Sequence, residues 1–122
     1  PLGKITGYAT FAQEPQWFTT APVGAMKKLC EKTGVKMEEI DLFEINEAFS
    51  VVTLAAMKEL SIPREKVNVH GGAVALGHPI GGSGARIFTT LIHALKTHNK
   101  KRGMASICIG GGEAVAVMVE AL

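Results

Sequence analysis

The chain has 122 residues, enough for one compact domain with one core. Its content of 47% apolar and 20% charged residues is typical of a globular protein and argues against disorder. Thirteen basic and eleven acidic side chains leave a net charge of +2, and no apolar run reaches the roughly 20 residues of a membrane span, so composition indicates neither nucleic acid nor a membrane as a partner.

The first part of the chain predicts a strand, a helix and a second strand. Strand-forming residues fill Lys4–Ala12, and Gln13–Thr20 is predicted to be a loop. A helix is predicted from Pro22, where a missing N–H costs nothing, up to Gly34. Asp41–Asn46 is then predicted to be a short strand.

The middle of the chain predicts two helices on either side of a glycine-rich segment. Glu47–Leu60 carries apolar residues on nearly every side, and a helix of that kind is normally buried between other elements. Val67–His70 is predicted to be a short strand. Gly71–Gly82 is too rich in glycine for regular structure, and Ser83 is expected to cap the helix that follows.

The end of the chain predicts a β-hairpin. Apolar residues fill Met104–Ile109 and Ala114–Leu122, and the three glycines Gly110–Gly112 between them are typical of a turn. The alternation of strands and helices predicts one α/β domain over residues 1–122. Its sheet is expected to have five mostly parallel strands, helices on both faces and an antiparallel edge at the C-terminal strand.

The two cysteines, Cys30 and Cys108, form no closely spaced pair, which favours free thiols in a reducing compartment. Cys30 falls on the apolar face of its predicted helix and is interpreted as a core thiol. A cytoplasmic location is expected, with mitochondria and peroxisomes as alternatives, and Glu120–Leu122 is not the peroxisomal Ser-Lys-Leu signal. The chain opens directly on a strand, so we expect it to be part of something longer.

The glycine-rich segment holds one histidine in a restricted position. Gly71–Gly84 ends at a helix N-terminus, where phosphate often binds, but it lacks the lysine of a Walker A loop, and Gly110–Gly112 lacks the third glycine of a dinucleotide fingerprint. Pro79 biases His78 toward extended backbone, and the flanking glycines allow a ligand to come close. His78 is therefore either a general base that acts near neutral pH or a loop histidine that only binds a carbonyl.

Two further polar residues end predicted strands. Cys108 precedes three glycines whose amides could lower the thiol pKa or bind an oxyanion, although most strand cysteines are inert core residues. Asn46 can cap the next helix or hold a water or an oxyanion. Asn46, His78 and Cys108 all follow strands, and open α/β sheets bind ligands outside the carboxyl ends of their strands. A zinc site formed by His70, His78 and Cys108 is not expected, because zinc ligands usually come in closely spaced pairs.

These residues lie in three motifs that resemble those of thiolases. The segments Asn46–Phe49, Gly71–Gly81 and Cys108–Gly112 resemble the NEAF, GHP and CxGG motifs of that family, in the same order and at similar spacing. The similarity runs essentially from Ile5 to Leu122. It implies an α/β half of a thiolase, whose acylated cysteine lies in the N-terminal half and whose loop domain makes most coenzyme A contacts.

The resemblance also implies a role for each site residue. His78 would activate the nucleophilic cysteine and, with a water held by Asn46, bind the thioester oxyanion of the condensing substrate. Cys108 would be the acid and base that moves the α-proton. The Gly110 amide would help bind the oxyanion of the acyl-enzyme, and Phe49 would line the acyl pocket.

The function implied is a Claisen-type acyl transfer in lipid metabolism that joins two acetyl-CoA molecules into acetoacetyl-CoA and coenzyme A, or the reverse thiolysis. One alternative is a 3-ketoacyl-CoA thiolase for longer chains, and another is a non-catalytic domain that binds acyl-CoA or mediates assembly. Retention of Asn46, His78 and Cys108 argues against the non-catalytic domain. No metal and no cofactor beyond the coenzyme A substrates are expected. The implied partners are acyl-CoA, the N-terminal thiolase half and further copies in a dimer or tetramer, and the chain alone is expected to be inactive.

Overall fold

The computed structural model describes residues 1–122 as four strands, four α-helices and three 3-10 turns. The strands are β1 (Gly3–Ala12), β2 (Leu42–Ile45), β3 (Arg102–Ile109) and β4 (Glu113–Ala121). The α-helices are α1 (Ala21–Thr33), α2 (Ser50–Leu60), α3 (Ala73–Leu76) and α4 (Ser83–Thr97). The 3-10 turns cover Pro15–Thr20, Met37–Glu39 and Arg64–Lys66. No helix is both long and apolar enough to cross a bilayer.

The strands form one mixed sheet in the order β1-β4-β3-β2. β2 and β3 are parallel, whereas β4 is antiparallel to both of its neighbours, β3 and β1. The α/β class is confirmed, but the details expected for the sheet are wrong in three respects. The sheet has four strands and not five, and most of its pairings are antiparallel. The C-terminal strand β4 is not an edge, because β1 pairs with its outer side.

The expected fifth strand at Val67–His70 is reduced to a single parallel bridge between Phe43 and Val67. The next residue, Asn68, has a positive φ of 47°, which turns the backbone out of strand geometry. Its side chain takes over the pairing, since Oδ1 accepts from the Ile45 N–H at 2.8 Å and Nδ2 donates to the Ile45 carbonyl at 2.9 Å. A side-chain amide thus replaces the backbone of a strand.

Helices cover both faces of the sheet, as predicted, and the chain therefore has two core clusters rather than one. Successive β3 residues point to opposite faces. Met104 joins the larger cluster, with α1 and α2, and Ala105 joins the smaller one, with α4. Gly103 lets α4 approach β3, because a Cβ atom there would lie 2.7 Å from the Leu91 side chain. Large side chains such as the fully buried Leu91 each contribute about 1.5–3 kcal/mol to the free energy of unfolding.

The sequence predicts helix α1 more accurately than helix α2. α1 ends as predicted before Gly34, whose φ is 72°. α2 begins only at Ser50, because Phe49 is still extended, with φ −141°. The expectation that α2 is buried on all sides is wrong, since Val52 is fully buried while Leu54 is 57% exposed.

The glycine-rich segment is more ordered than expected. α3 forms one helical turn within Gly71–Gly82. α4 begins at Ser83, but Gly82 is its N-cap and the Ser83 hydroxyl makes its hydrogen bonds elsewhere. The segment is tied to the end of β2, because Oε2 of Glu47 accepts from the Val74 N–H at 2.9 Å.

Candidate active site

The carboxyl ends of β2 and β3 lie side by side, as expected for parallel neighbours. The Asn46 N–H, just after β2, donates to the Ser106 carbonyl of β3 at 2.9 Å. Cys108 follows two residues later on β3, next to the glycine turn. Asn46 is fully buried and does not cap α2, whose N-cap is Phe49, so the capping alternative is wrong.

The hydrogen bonds around His78 form a series that runs from Asn46 through the imidazole ring to Ser83 and Pro79. Nδ2 of Asn46 is 3.4 Å from Nε2 of His78, which makes a long hydrogen bond. On the other side of the ring, Nδ1 is 2.5 Å from Oγ of Ser83. The Ser83 hydroxyl in turn donates to the Pro79 carbonyl at 3.1 Å. The structure thus brings Asn46 and His78 together, and His78 is not a loop histidine bound to a carbonyl.

This order of donors assigns the neutral tautomer of His78. With the single Ser83 proton donated to the Pro79 carbonyl, Oγ accepts from His78, and the ring proton of this arrangement is on Nδ1. The lone pair then lies on Nε2, where it accepts the long hydrogen bond from Asn46. An imidazole with its lone pair held in position can act as a general base.

Cys108 lies on the same face of β3 as Met104 and packs against the larger core cluster, half-buried. Burial raises the pKa of the Cys108 thiol above its ordinary value, and the hydrogen bond to its own backbone amide opposes this only in part. The expectation that the nearby amides lower this pKa is therefore wrong. Because burial outweighs one amide, the thiol stays protonated to higher pH.

The glycine turn after Cys108 presents unoccupied backbone donors. The Gly112 N–H bonds the Ile109 carbonyl at 3.1 Å and closes the turn, which confirms the predicted hairpin. The N–H groups of Gly110 and Gly111 donate to no backbone carbonyl, and both residues are exposed. Exposed amides in a fixed turn suit the binding of an oxyanion.

The other residues named from the sequence make no hydrogen bond to Asn46, His78 or Cys108. Phe49 is 62% exposed, and its ring centroid is 6.3 Å from that of Phe18 in an edge-on contact. Cys30 packs against the larger core cluster, as predicted, and burial raises the pKa of its thiol, with Glu31 adding to the effect. His70 contacts His98 and not His78.

Sequence reasoning missed four residues that build the site. Ser83 was interpreted only as a helix cap, although it orients the His78 ring. Glu47 and Asn68 bond each other at 2.9 Å and fix the ends of β2 and of the glycine-rich segment. Gly72 is required there, because a Cβ atom would lie 2.2 Å from the Glu47 carboxylate. For Ser83, Glu47 and Asn68 the only available signal was a polar side chain next to apolar segments, and Gly72 gave none beyond its place in the glycine-rich segment.

Glu44 on β2 is the other residue missed, and its carboxyl is buried beside α4. Its Oε2 accepts from Nη1 of Arg86 at 3.4 Å, while Oε1 of Glu44 and Nε of Arg86 have no partner in the chain. Burial raises the pKa of Glu44 from 4.5 to about 7, against the lowering effect of the Arg86 guanidinium. This carboxyl therefore changes its charge near neutral pH.

We predict that Glu44 makes folding stability depend on pH. The raised pKa means that the folded state binds more protons than the unfolded state between pH 4.5 and about 7. The free energy of unfolding therefore falls as pH rises through that window, by about 3 kcal/mol at most. In the complete protein, Glu44→Gln should remove this decline, measured by urea unfolding at both ends of the window. Glu59→Gln, at an exposed position, is the control, and equal pH dependence of all three proteins would refute the prediction.

Comparison with known proteins identifies the fold and the motifs together. The family described as "Thiolase, C-terminal domain" matches residues 1–121. The chain belongs to the thiolase family. The resemblance of the three motifs is thereby confirmed at the level of the family.

Thiolases similar to this chain bear two kinds of name. A protein of Dictyostelium discoideum, named probable acetyl-CoA acetyltransferase, is 54% identical over 122 residues, which are 100% of this chain and 30% of that protein. The crystal structure of the Bacillus anthracis acetyl-CoA acetyltransferase matches with a TM-score of 0.97 at 49% identity, over 100% of this chain and 31% of the other. The human mitochondrial 3-ketoacyl-CoA thiolase matches equally well in structure, with a TM-score of 0.97, at 41% identity and the same coverage.

The thiolase fold is therefore confirmed. The chain spans about a third of the length of the relatives that it matches.

Proposed function

We propose that this chain is the acid–base and oxyanion-binding part of an acetyl-CoA C-acetyltransferase. The complete enzyme would join two acetyl-CoA molecules into acetoacetyl-CoA and coenzyme A, or run the reverse thiolysis. The observation that carries the proposal is the one-way series of hydrogen bonds from Asn46 through His78 to Ser83. Asn46 follows β2, and Cys108 lies near the end of the neighbouring strand β3. The names of relatives that are about half identical support the choice of substrate.

In the first step, His78 accepts a proton. Its Nε2 lone pair gives up the long bond from Asn46 and takes the proton of the nucleophilic cysteine, which the other part of the enzyme provides. The resulting thiolate attacks the thioester carbonyl. Nδ1 stays bonded to Ser83, which keeps the ring in place as it becomes charged. The protonated His78 ring returns this proton to the sulfur of coenzyme A, which leaves as the thiol, and the acetyl group remains on the nucleophilic cysteine.

In the second step, Cys108 moves the α-proton. Its thiolate removes a methyl proton from the second acetyl-CoA, and the resulting enolate attacks the acyl-enzyme carbonyl and releases the nucleophilic cysteine. A raised pKa makes the Cys108 thiolate a stronger base once it has formed, although less of it exists at neutral pH. In thiolysis the Cys108 thiol returns the same proton.

Two oxyanions form along this path, and separate groups face them. The enolate oxygen of the second substrate is bound by His78 together with a water held by Asn46. The oxyanion of the acyl-enzyme is bound by the Gly110 amide, which is exposed and has no acceptor in the turn. Phe49, exposed at the start of α2, lines the acyl pocket. Coenzyme A thioesters are the substrates, and these steps need no further cofactor.

We predict that the isolated chain neither binds coenzyme A tightly nor cleaves acetoacetyl-CoA. Neither cysteine stands in a thiolase nucleophile motif, and burial raises the pKa of both thiols, which disfavours the reactive thiolate. Turnover should appear when the chain is joined to, or produced with, an N-terminal thiolase half. Loss of absorbance of the acetoacetyl-CoA enolate measures this directly. Thiolysis by the purified chain would show that Cys30 or Cys108 is a nucleophile. It would contradict the assignment of the nucleophilic cysteine to the other part of the enzyme.

The second candidate function is thiolysis of longer 3-ketoacyl-CoA substrates, and the match to the human 3-ketoacyl-CoA thiolase favours it. The two activities are distinguished by kcat/KM of the complete protein for acetoacetyl-CoA and for a 3-ketoacyl-CoA with a long chain. A preference for the long substrate would replace the proposal. Binding of acyl-CoA without turnover of either substrate would indicate the non-catalytic domain considered from the sequence.

A further inference from the structure

Two exposed histidines outside the candidate active site face each other. Nε2 of His70 is 3.1 Å from Nε2 of His98, although the residues are 28 positions apart in the chain. Their ring centroids are 5.2 Å apart and the rings are tilted by 39°. The fold, rather than local sequence, therefore brings these two nitrogens together.

The backbone on each side of the pair is fixed. His98 follows the last residue of α4, and its N–H bonds the Ala94 carbonyl at 2.9 Å. His70 lies in a turn in which the Gly71 N–H bonds the Asn68 carbonyl at 2.9 Å. Asn68 is itself held to β2 by its side chain. Both imidazoles thus project from anchored positions into solvent.

We propose that His70 and His98 form a binding site for one divalent transition-metal ion of the copper, nickel or zinc class. Imidazole is a preferred ligand of these ions. With metal–nitrogen bonds of about 2.1 Å, nitrogens 3.1 Å apart subtend an angle of roughly 95° at the metal. That angle is close to the right angle between neighbouring ligands of a square-planar or octahedral ion. The separation of the two nitrogens therefore suits one ion, once each ring has turned so that its lone pair points at the metal.

The separation of the two nitrogens favours copper and nickel over zinc. Tetrahedral zinc would need the nitrogens to separate to about 3.4 Å, so the rings would have to open by a few tenths of an ångström. Copper and nickel need no such change, which adds to their ordinary advantage at nitrogen sites. No third histidine, cysteine or carboxylate joins the pair, so water completes the coordination.

A metal ion bound by His70 and His98 would connect two parts of the fold. His70 directly precedes the glycine-rich segment that carries His78, and His98 directly follows α4, which begins at Ser83. A metal ion would therefore link the two elements that flank this segment. Because the nitrogens come together only in the folded chain, binding should raise the melting temperature.

The test uses the complete protein, titrated calorimetrically with copper, nickel or zinc chloride at slightly alkaline pH, where imidazole binds as the neutral form. His70→Gln and His98→Gln should each remove one bound ion or weaken its binding by at least about 10-fold. Even the loss of a group that only hydrogen-bonds a metal ligand lowers metal affinity by that much. His93→Gln, an exposed histidine on α4 without a ring partner, is the matched control and should keep the ion. Metal bound at the cysteines or at His78 persists in all three variants, so the difference between them isolates the pair.

Electron paramagnetic resonance with one equivalent of copper gives a second readout on the unmodified protein. We expect hyperfine coupling to two imidazole nitrogens, and coupling to one in either pair variant. Two results overturn the proposal. One is ion binding that is unchanged by both pair substitutions, and the other is absence of binding, which would leave His70 and His98 as a hydrogen-bonded pair only.

Discussion

Replacing His78 with alanine in the complete enzyme is expected to lower acyl-enzyme formation and condensation together, each by at least about 10³-fold. The same ring takes the proton of the nucleophilic cysteine and helps to bind the enolate oxygen of the second substrate. Alanine would leave Asn46 and Ser83 without their shared partner, while the backbone of the glycine-rich segment stays held by Glu47. Both chemical steps should therefore fail while the protein remains folded.

A rapid-quench assay with labelled acetyl-CoA measures the acylation rate, and a coupled assay measures condensation. His93→Ala is the matched control, because this histidine is exposed on α4 and should leave both rates within about two-fold, as surface substitutions usually do. Acylation of the His78→Ala enzyme at nearly the wild-type rate would assign activation of the nucleophile to another residue.

The second large effect is expected from Cys108→Ser, which should separate the two steps. Acylation from acetyl-CoA should proceed, because the nucleophile is elsewhere and His78 is unchanged. Condensation should fall by about 10²–10⁴-fold, since a serine hydroxyl has a much higher pKa than a thiol and is a poor base near neutral pH. Exchange of the acetyl-CoA methyl protons with deuterated water should fall in parallel.

Mass spectrometry of the acetylated protein, with condensation and exchange assays beside it, distinguishes three outcomes. Intact acylation with lost condensation and exchange assigns the α-proton to Cys108. If all three rates stay within a few-fold, Cys108 is only a core residue at the end of β3. Loss of acylation itself would make Cys108 the nucleophile.

The parts of the site that follow from strand position could be predicted from sequence. Asn46 and Cys108 each come at or just after the end of an apolar strand, and parallel pairing of β2 with β3 brings those ends to one edge. His78 was predicted from a different signal, the restriction of its backbone by Pro79 and the surrounding glycines. The family motifs lie at these positions, so the residues and the fold class could be named before the structure.

The parts that depend on contacts between distant residues could not be predicted. The Asn68 side chain pairs with Ile45, 23 positions away, and nothing in the local sequence distinguishes it from a strand residue. The pKa of Cys108 depends on how deeply the core buries it, and burial outweighs the amide that sequence reasoning relied on. The position of β4 inside the sheet depends on where β1 pairs.

The central position of β4 has a consequence for how the chain folds. β1 has no strand partner other than β4, and Gly3 at its start pairs with Ala121 at the far end of the chain. During synthesis β1 therefore has no strand partner until β4 has been made. Pairings between such distant segments form slowly, and an unpaired strand is prone to aggregate in the meantime. We expect the yield of folded protein to fall sharply when β4 is truncated, because β1 then has no strand to pair with.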